Sequence, residues 1–169
     1  MKSVPACAIA ILALAAAACN SSGCLDNGSA LPLAGFYSTA TAEAITVDSL
    51  EIRGLGAPGD SILLSPSARV QQVYLPMRAD APAVSWVIAY RQKALDYPQL
   101  NDTLTFAYET IPYFASEQCG AMYIYRIESV AHSCHLIDSV KIIDPLITNV
   151  DVERIQIFFR TARQEEPAR

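Results

Sequence analysis

The chain has 169 residues, with 12 basic and 17 acidic side chains and a formal net charge of −5 at pH 7. It contains no basic run, which argues against nucleic acid as a partner and against charge-driven binding to an anionic lipid surface. The length is that of one domain, large enough to bury a substantial core.

The first nineteen residues have the layout of a secretory leader. Lys2 supplies a positive start, an apolar run covers residues 8–18, and small residues lead directly into Cys19. The run is too short for a retained membrane anchor, because a bilayer-spanning helix needs ~20 apolar residues. We therefore predict a signal peptide over residues 1–18.

Cys19 stands where a bacterial lipoprotein is cleaved and acylated, and we predict that it carries a lipid. Ala16 occupies a position that more typically holds Leu. The alternative is therefore cleavage by an ordinary signal peptidase, with Cys19 merely the first mature residue. Residues 19–30 are expected to form a flexible, lipid-anchored tether. The predicted location is the cell envelope, at a bacterial membrane and facing the periplasm.

Alternating apolar and polar residues then predict strand after strand. Val84 to Tyr90 is apolar on both faces and indicates a central strand. The prolines, Pro66 and Pro112 among them, are expected to lie between strands. We predict an all-β, antiparallel two-sheet sandwich of immunoglobulin-like architecture over residues 31–160, with a disordered tail at 161–169. The other predicted strands lie around Leu50 and Ile52, Leu104 to Tyr108, residues 121–131, residues 135–143, and Ile155 to Phe159, with shorter candidates at Ser61 to Leu64 and Val70 to Leu75.

Four strands are preceded by Asp followed by Ser or Thr, at Asp48, Asp60, Asp102 and Asp138. Acidic loops gathered at one end of a sandwich could hold Ca²⁺. The favoured interpretation is turn chemistry, because these side chains bond nearby backbone N–H groups where a strand begins.

Three cysteines remain after the leader and Cys19 are set aside: Cys24, Cys119 and Cys134. Cys119 and Cys134 flank one long predicted strand, so their Cα atoms would be much farther apart than the ~7 Å limit for a disulfide. Cys24 could pair with either of them in an oxidising compartment. The alternative is that all three are reduced and buried.

The densest group of reactive side chains is His132-Ser133-Cys134-His135, with Asp138 nearby. It could hold a metal or form a catalytic Cys–His pair. We favour a hairpin turn between the strands at 121–131 and 135–143. Motifs for a serine nucleophile, a phosphate loop or a zinc protease are absent from the sequence. We predict no enzyme activity, no metal and no cofactor.

Aromatic residues concentrate in the second half, and Tyr123, Tyr125 and Ile127 share one face of a predicted strand. Such a face could bind a glycan or a peptide. Core packing is the favoured interpretation, because aromatic residues are common in strands.

Several stretches in order resemble a family of small uncharacterised envelope lipoproteins of the Bacteroidota. They are Cys24–Asn27, Leu31–Tyr37, Gly56–Ser61, Val73–Arg78, Cys119–Tyr123, His135–Val140 and Ile147–Asp151. The family has no assigned activity. The resemblance implies a Cys24–Cys119 disulfide and a free thiol at Cys134.

These observations predict a lipid-anchored, non-enzymatic structural or accessory binding module, held to the membrane by its N-terminal lipid. An envelope protein is a possible partner. The alternative is a glycan- or peptide-binding sandwich that uses the Tyr-rich face.

Overall fold

The structure is a computed structural model and describes residues 30–56, 61–67, 69–116 and 120–161. The predictions for the leader, for Cys19 and for the Cys24–Cys119 disulfide lie outside these residues. A short 3-10 helix occupies Pro98–Leu100. The strands are β1 (Leu33–Ser38), β2 (Leu50–Gly54), β3 (Ile62–Ser67), β4 (Gln72–Tyr74), β5 (Ala83–Tyr90), β6 (Asp102–Ser116), β7 (Gly120–His132), β8 (Ile137–Ile142), β9 (Leu146–Ile147) and β10 (Glu153–Phe159).

The strands form two sheets, which confirms the predicted all-β sandwich. One sheet has the order β4-β1-β10-β8 and the other β3-β2-β5-β6-β7-β9. The pairing is antiparallel except between β1 and β10, which run parallel from Leu33 and Glu153. Parallel neighbours need a long connection between them. Here almost the whole domain is that connection, because β1 and β10 are its first and last strands.

The core lies between the sheets and follows the predicted alternation. Ala34 and Phe36 of β1 face Ile155 and Ile157 of β10 in the same buried layer. Burial of one such large apolar side chain stabilises the fold by ~1.5–3 kcal/mol. The fully buried apolar side chains include Phe36, Leu50, Ile52, Leu75, Ile88, Leu104, Phe106, Ile137, Ile147, Ile155 and Ile157.

β6 and β7 continue past Ala83, the first residue of β5. Ala107 is the last residue of β6 that pairs with β5, whereas pairing with β7 runs on to Ser116 and Gly120. We call residues 109–116 and 120–126 the ribbon. Within it, the β6 edge opposite β7 has no paired strand in the described part of the chain.

The expectation that prolines lie between strands is wrong for Pro66, in β3, and for Pro112, in β6. β3 is the outermost strand of its sheet, where proline is tolerated. The N–H of Tyr108 points away from β7, since it donates to the Pro82 carbonyl. Strand alternation places the nitrogen of Pro112 on the same side of β6, away from β7. The N–H that proline lacks would therefore not have bonded to β7, and no ladder hydrogen bond is lost.

The sandwich has two ends of different character. At the ribbon end, β1 and β10 begin and β4 ends, since Leu33 pairs with both Tyr74 and Glu153. The 75–82 connection and the start of β5 lie at this end too. At the Asp102 end, β6 begins beside the connection from β7 to β8. No helix in the described residues is long and apolar enough to cross a membrane.

Candidate functional site

A cavity of about 420 Å³ opens at the ribbon end. It lies between the facing ends of β2 and β3, the start of β5, and the Pro76–Arg78 segment. Its volume falls within the ~300–1,000 Å³ of typical small-molecule sites. The lining residues are Gly54, Leu55, Ser61, Ile62, Leu63, Pro76, Met77, Arg78, Ala83, Val84, Ser85 and Trp86.

Trp86 lines this cavity, and its indole nitrogen is an informative buried polar atom. The side chain is only 7 % exposed, and its Nε1–H is buried without a hydrogen-bond partner among the described residues. A buried donor left unpaired costs ~1–3 kcal/mol, which is why a buried tryptophan usually places its N–H on an acceptor. An acceptor that reached this N–H would therefore form a hydrogen bond that none of the described residues supplies.

The charges at the mouth of the cavity neutralise each other. Arg78 donates to both carboxylate oxygens of Asp80, at 3.0 and 2.8 Å. The hydrogen bond from Arg78 is the main reason that the pKa of Asp80 is lowered. The Tyr108 hydroxyl holds the Arg78 backbone at 2.9 Å, accepting from its N–H and donating to its carbonyl. This cavity therefore suits an uncharged, apolar guest.

The ribbon exposes three aromatic residues at the same end of the sandwich as this cavity. Tyr113, Phe114 and Tyr123 are 46 %, 64 % and 49 % exposed. Pro112 pairs with Tyr123 and Phe114 pairs with Ala121, so Phe114 and Tyr123 share one face of the ribbon. Tyr113 lies on the other face.

The predicted face of Tyr123, Tyr125 and Ile127 is divided by the sandwich. Tyr125 and Ile127 are buried, and the Tyr125 ring meets Tyr108 edge-to-face at 5.3 Å. Tyr123 alone of the three is exposed, because it lies in the first part of β7, within the ribbon, before the strand enters the core. Packing accounts for two of these residues, and a binding surface would need Phe114, which the strand pattern did not single out.

At the opposite end, Asp102 organises the segment that contains both histidines. Its carboxylate is fully buried. Burial by itself would raise its pKa, but hydrogen bonds outweigh that effect and the pKa is lowered. The donors are the Tyr90 and Ser133 hydroxyls, at 2.8 and 2.7 Å, and the backbone N–H groups of His135, Leu136 and Ile137, at 2.8–2.9 Å.

The predicted hairpin between β7 and β8 is wrong. β7 belongs to the six-stranded sheet and β8 pairs with β10 in the other sheet, so residues 133–136 form a corner between sheets. Asp102 holds this corner from within, and Arg160 holds it from outside by donating to the carbonyls of Cys134 and His135. The hydrogen bonds of the Asp102 side chain are thus long-range, whereas local turn chemistry was expected there.

His132 and Cys134 are brought together, with 3.8 Å between Nδ1 and Sγ, and Cys134 is exposed. His132 Nδ1 also lies 2.8 Å from the Ser133 carbonyl. His135 donates its backbone N–H to Asp102, which carries four other hydrogen bonds. The described residues contain no group of three or more side chains placed to hold a metal ion.

The fold and this cavity define an all-β sandwich protein with an apolar, ligand-sized cleft at one end. The chain belongs to DUF6452, a family of unknown function, whose profile matches residues 49–159. The matched range contains β2 to β10, and with them the cavity, the ribbon and Asp102. A comparison with curated proteins and a comparison with solved structures each found no match.

Proposed function

We propose that this protein is a lipid-anchored, non-enzymatic binding module of the bacterial cell envelope, and that the cavity beside Trp86 is its ligand site. The location in the cell envelope is supported by the leader over residues 1–18 and by Cys19 directly after it. Several stretches of the chain, in the same order, resemble small envelope lipoproteins of the Bacteroidota, and this resemblance supports the same location. The Cys24–Cys119 disulfide belongs to this proposal.

The Nε1–H of Trp86, which has no hydrogen-bond partner in the described part of the chain, is the observation that carries the binding role. A guest that places a carbonyl, ester or hydroxyl oxygen against it would gain a hydrogen bond without displacing an existing one. Because Arg78 and Asp80 already neutralise each other, the guest needs no charge. The ligand class is therefore an apolar molecule with an uncharged acceptor.

The binding role is tested by calorimetry with medium-chain fatty-acid methyl esters and N-acyl amides as probes. Trp86→Phe keeps an aromatic ring but removes the donor, and we expect it to weaken binding about fivefold, the effect of losing one hydrogen bond. Val84→Phe places a bulky ring in the cavity, which narrows it, and should weaken binding more strongly than Trp86→Phe. Tyr97→Phe, which removes an exposed hydroxyl at the Asp102 end, is the matched control. Absence of binding by the wild-type protein to both probe series would refute the site.

The anchor is tested separately. Mass spectrometry of the protein from its native host should show a mature chain that begins at an acylated Cys19. Cys19→Ser should move the protein from the detergent-extractable fraction to the aqueous fraction. An intact, unprocessed N-terminus, or equal solubility of the two proteins, would contradict the anchor.

A second candidate function is glycan or peptide binding on the ribbon. The shared, exposed face of Phe114 and Tyr123 favours it, because flat aromatic rings stack on sugars and on apolar side chains. A glycan array and a peptide array distinguish this role from the cavity. Binding that is lost in Tyr123→Ser and kept in Val84→Phe would assign the activity to the ribbon.

A further inference from the structure

The exposed large apolar residues of the described chain are unevenly distributed. Tyr97 lies at the Asp102 end, and all the others lie at or beside the ribbon end. Single exposed apolar residues are ordinary on protein surfaces, but a concentration on one side marks an interaction surface. The others are Leu31, Leu55, Ile62, Tyr74, Tyr113, Phe114, Tyr123, Ile143, Val150 and Val152.

The chain also enters the domain at this end. Pro32, directly before β1, accepts a hydrogen bond from the N–H of Leu75 in the connection that lines the cavity. From Cys19 to Ala30 there are eleven residue steps. At ~3.5 Å per residue, this tether spans at most ~39 Å. A lipid on Cys19 would therefore keep the ribbon end within reach of the bilayer.

The predicted disulfide would shorten this distance further. Cys119 directly precedes Gly120, the first residue of β7 and of the ribbon. With Cys24 joined to Cys119, only five residue steps would separate the lipid from the bridge, or at most ~18 Å at ~3.5 Å per step. The ribbon would then be the part of the fold held nearest to the membrane.

The charges at this end are mostly paired. Arg78 pairs with Asp80, Arg126 with Glu109 and Arg154 with Asp144. An excess of positive charge for anionic headgroups is therefore lacking among these groups. Contact with a bilayer would depend on apolar and aromatic side chains, and aromatic rings favour the level of the headgroups.

From this arrangement we infer that the ribbon end is a membrane-contact surface, and that Phe114 and Tyr123 enter the interface of the bilayer that holds the Cys19 lipid. The inference rests on the proposed lipid anchor. It adds an orientation: the ribbon end faces the membrane, and the corner at residues 133–136 faces the periplasm. The cavity would then open toward the bilayer, into which apolar guests partition.

The test uses the acylated, full-length mature protein in phosphatidylcholine vesicles with either ordinary or brominated acyl chains. Trp86 is the sole tryptophan, so Trp86→Phe gives a background without tryptophan emission. Phe114→Trp in that background should show blue-shifted tryptophan emission in vesicles with ordinary chains. In vesicles with brominated chains, most of that emission should be quenched. Tyr97→Trp, the matched control at the Asp102 end, should keep its emission. The pair is repeated in the wild-type Trp86 background, in case Trp86→Phe alters the fold.

Flotation of the vesicles separates the two claims. If the wild-type protein does not float with the vesicles, the anchor fails and this inference falls with it. If it floats and Phe114→Trp is quenched no more than Tyr97→Trp, the anchor stands and the membrane-contact surface is overturned. Crosslinks in native envelopes from the ribbon to one protein, combined with unquenched Phe114→Trp, would assign the ribbon to a protein partner instead.

Discussion

The Tyr90 hydroxyl donates a 2.8 Å hydrogen bond to the carboxylate of Asp102, and both side chains are buried. Burial, together with the charge of Asp102, raises the pKa of Tyr90, so this hydroxyl stays protonated as a donor. The bond joins β5 to the first residue of β6. Through its other donors, Asp102 extends the connection to the corner that carries the chain from one sheet to the other.

Asp102→Asn should destabilise the protein strongly. Both carboxylate oxygens of Asp102 now accept hydrogen bonds. In asparagine an NH₂ group replaces one of these oxygens, so the donors that face it lose their acceptor and buried N–H groups are left unpaired. We expect a loss of about 3 kcal/mol in the free energy of unfolding, measured by urea denaturation. Asp138→Asn is the control, because its carboxylate pairs with Arg160 near the surface and should contribute under about 1 kcal/mol. Equal effects of the two substitutions would show that Asp102 is not the anchor.

The same carboxylate predicts an acid-sensitive component of stability. The pKa of Asp102 is lowered in the folded protein, so its ionised form favours folding. That contribution is complete above the unfolded pKa of about 3.9 and is lost as the pH falls through the lower, folded pKa. Between pH 5 and pH 2, wild-type stability should fall more steeply than that of Asp102→Asn. Parallel pH profiles of the unfolding free energy would exclude this linkage.

Gly35→Ala should disturb the outer face of the four-stranded sheet. A Cβ at Gly35 would overlap the Glu153 carboxylate. That carboxylate cannot move without cost, since it accepts hydrogen bonds from Tyr37 at 2.6 Å and from Gln72 at 2.9 Å. We expect destabilisation of about 1–3 kcal/mol by thermal or urea unfolding.

Glu153→Ala supplies the check for this steric explanation. Once the carboxylate is removed, the added methyl group at Gly35 has room. The double variant should therefore be more stable than the sum of the two single changes predicts. Additive effects would mean that Gly35 is required for another reason.

Pro112→Thr should increase self-association. The substitution restores an N–H on the unpaired edge of β6, and an unprotected edge is a template for another strand. We expect a larger oligomer fraction in size-exclusion chromatography at high protein concentration. Tyr113→Thr introduces the same side chain without a new backbone donor and should remain like wild type. Identical profiles for both variants would show that Pro112 does not protect the edge.

Of the three cysteines that follow Cys19, one should be a reactive thiol and the other two should form a disulfide. Cys134 is exposed, so it should react with a maleimide under native conditions. Cys24 and Cys119 should react only after reduction, and a non-reducing peptide map should show them joined. In the chain-entropy model, their reduction should cost ~4 kcal/mol of stability, because the loop they close is long. A peptide map that joins Cys134 to either of them would contradict this pairing.

Strand positions could be predicted because a half-buried strand alternates along its own length. The sheet to which a strand belongs could not. The segments on either side of residues 133–136 look like a hairpin in sequence, yet β8 pairs with the distant β10. Local alternation contains no information about which partner a strand's hydrogen bonds reach.

The candidate site was less predictable than the strands. Asp102 does carry a signal, because it occupies the same alternating face as Leu104, Phe106 and Tyr108, all of them buried. A carboxylate on a core face must be hydrogen-bonded. The unpartnered N–H of Trp86 carries no such signal, since any tryptophan has the same donor and only its surroundings leave it unpaired.

By itself, the sequence determined the all-β class and the positions of most strands, because each depends on neighbours within a few residues. Only the tertiary structure decided the parallel pairing of β1 with β10, the exposure of Tyr123 beside a buried Tyr125, and the cavity wall at Trp86. These depend on which distant segments cover a strand, and such contacts form only when the two sheets pack together.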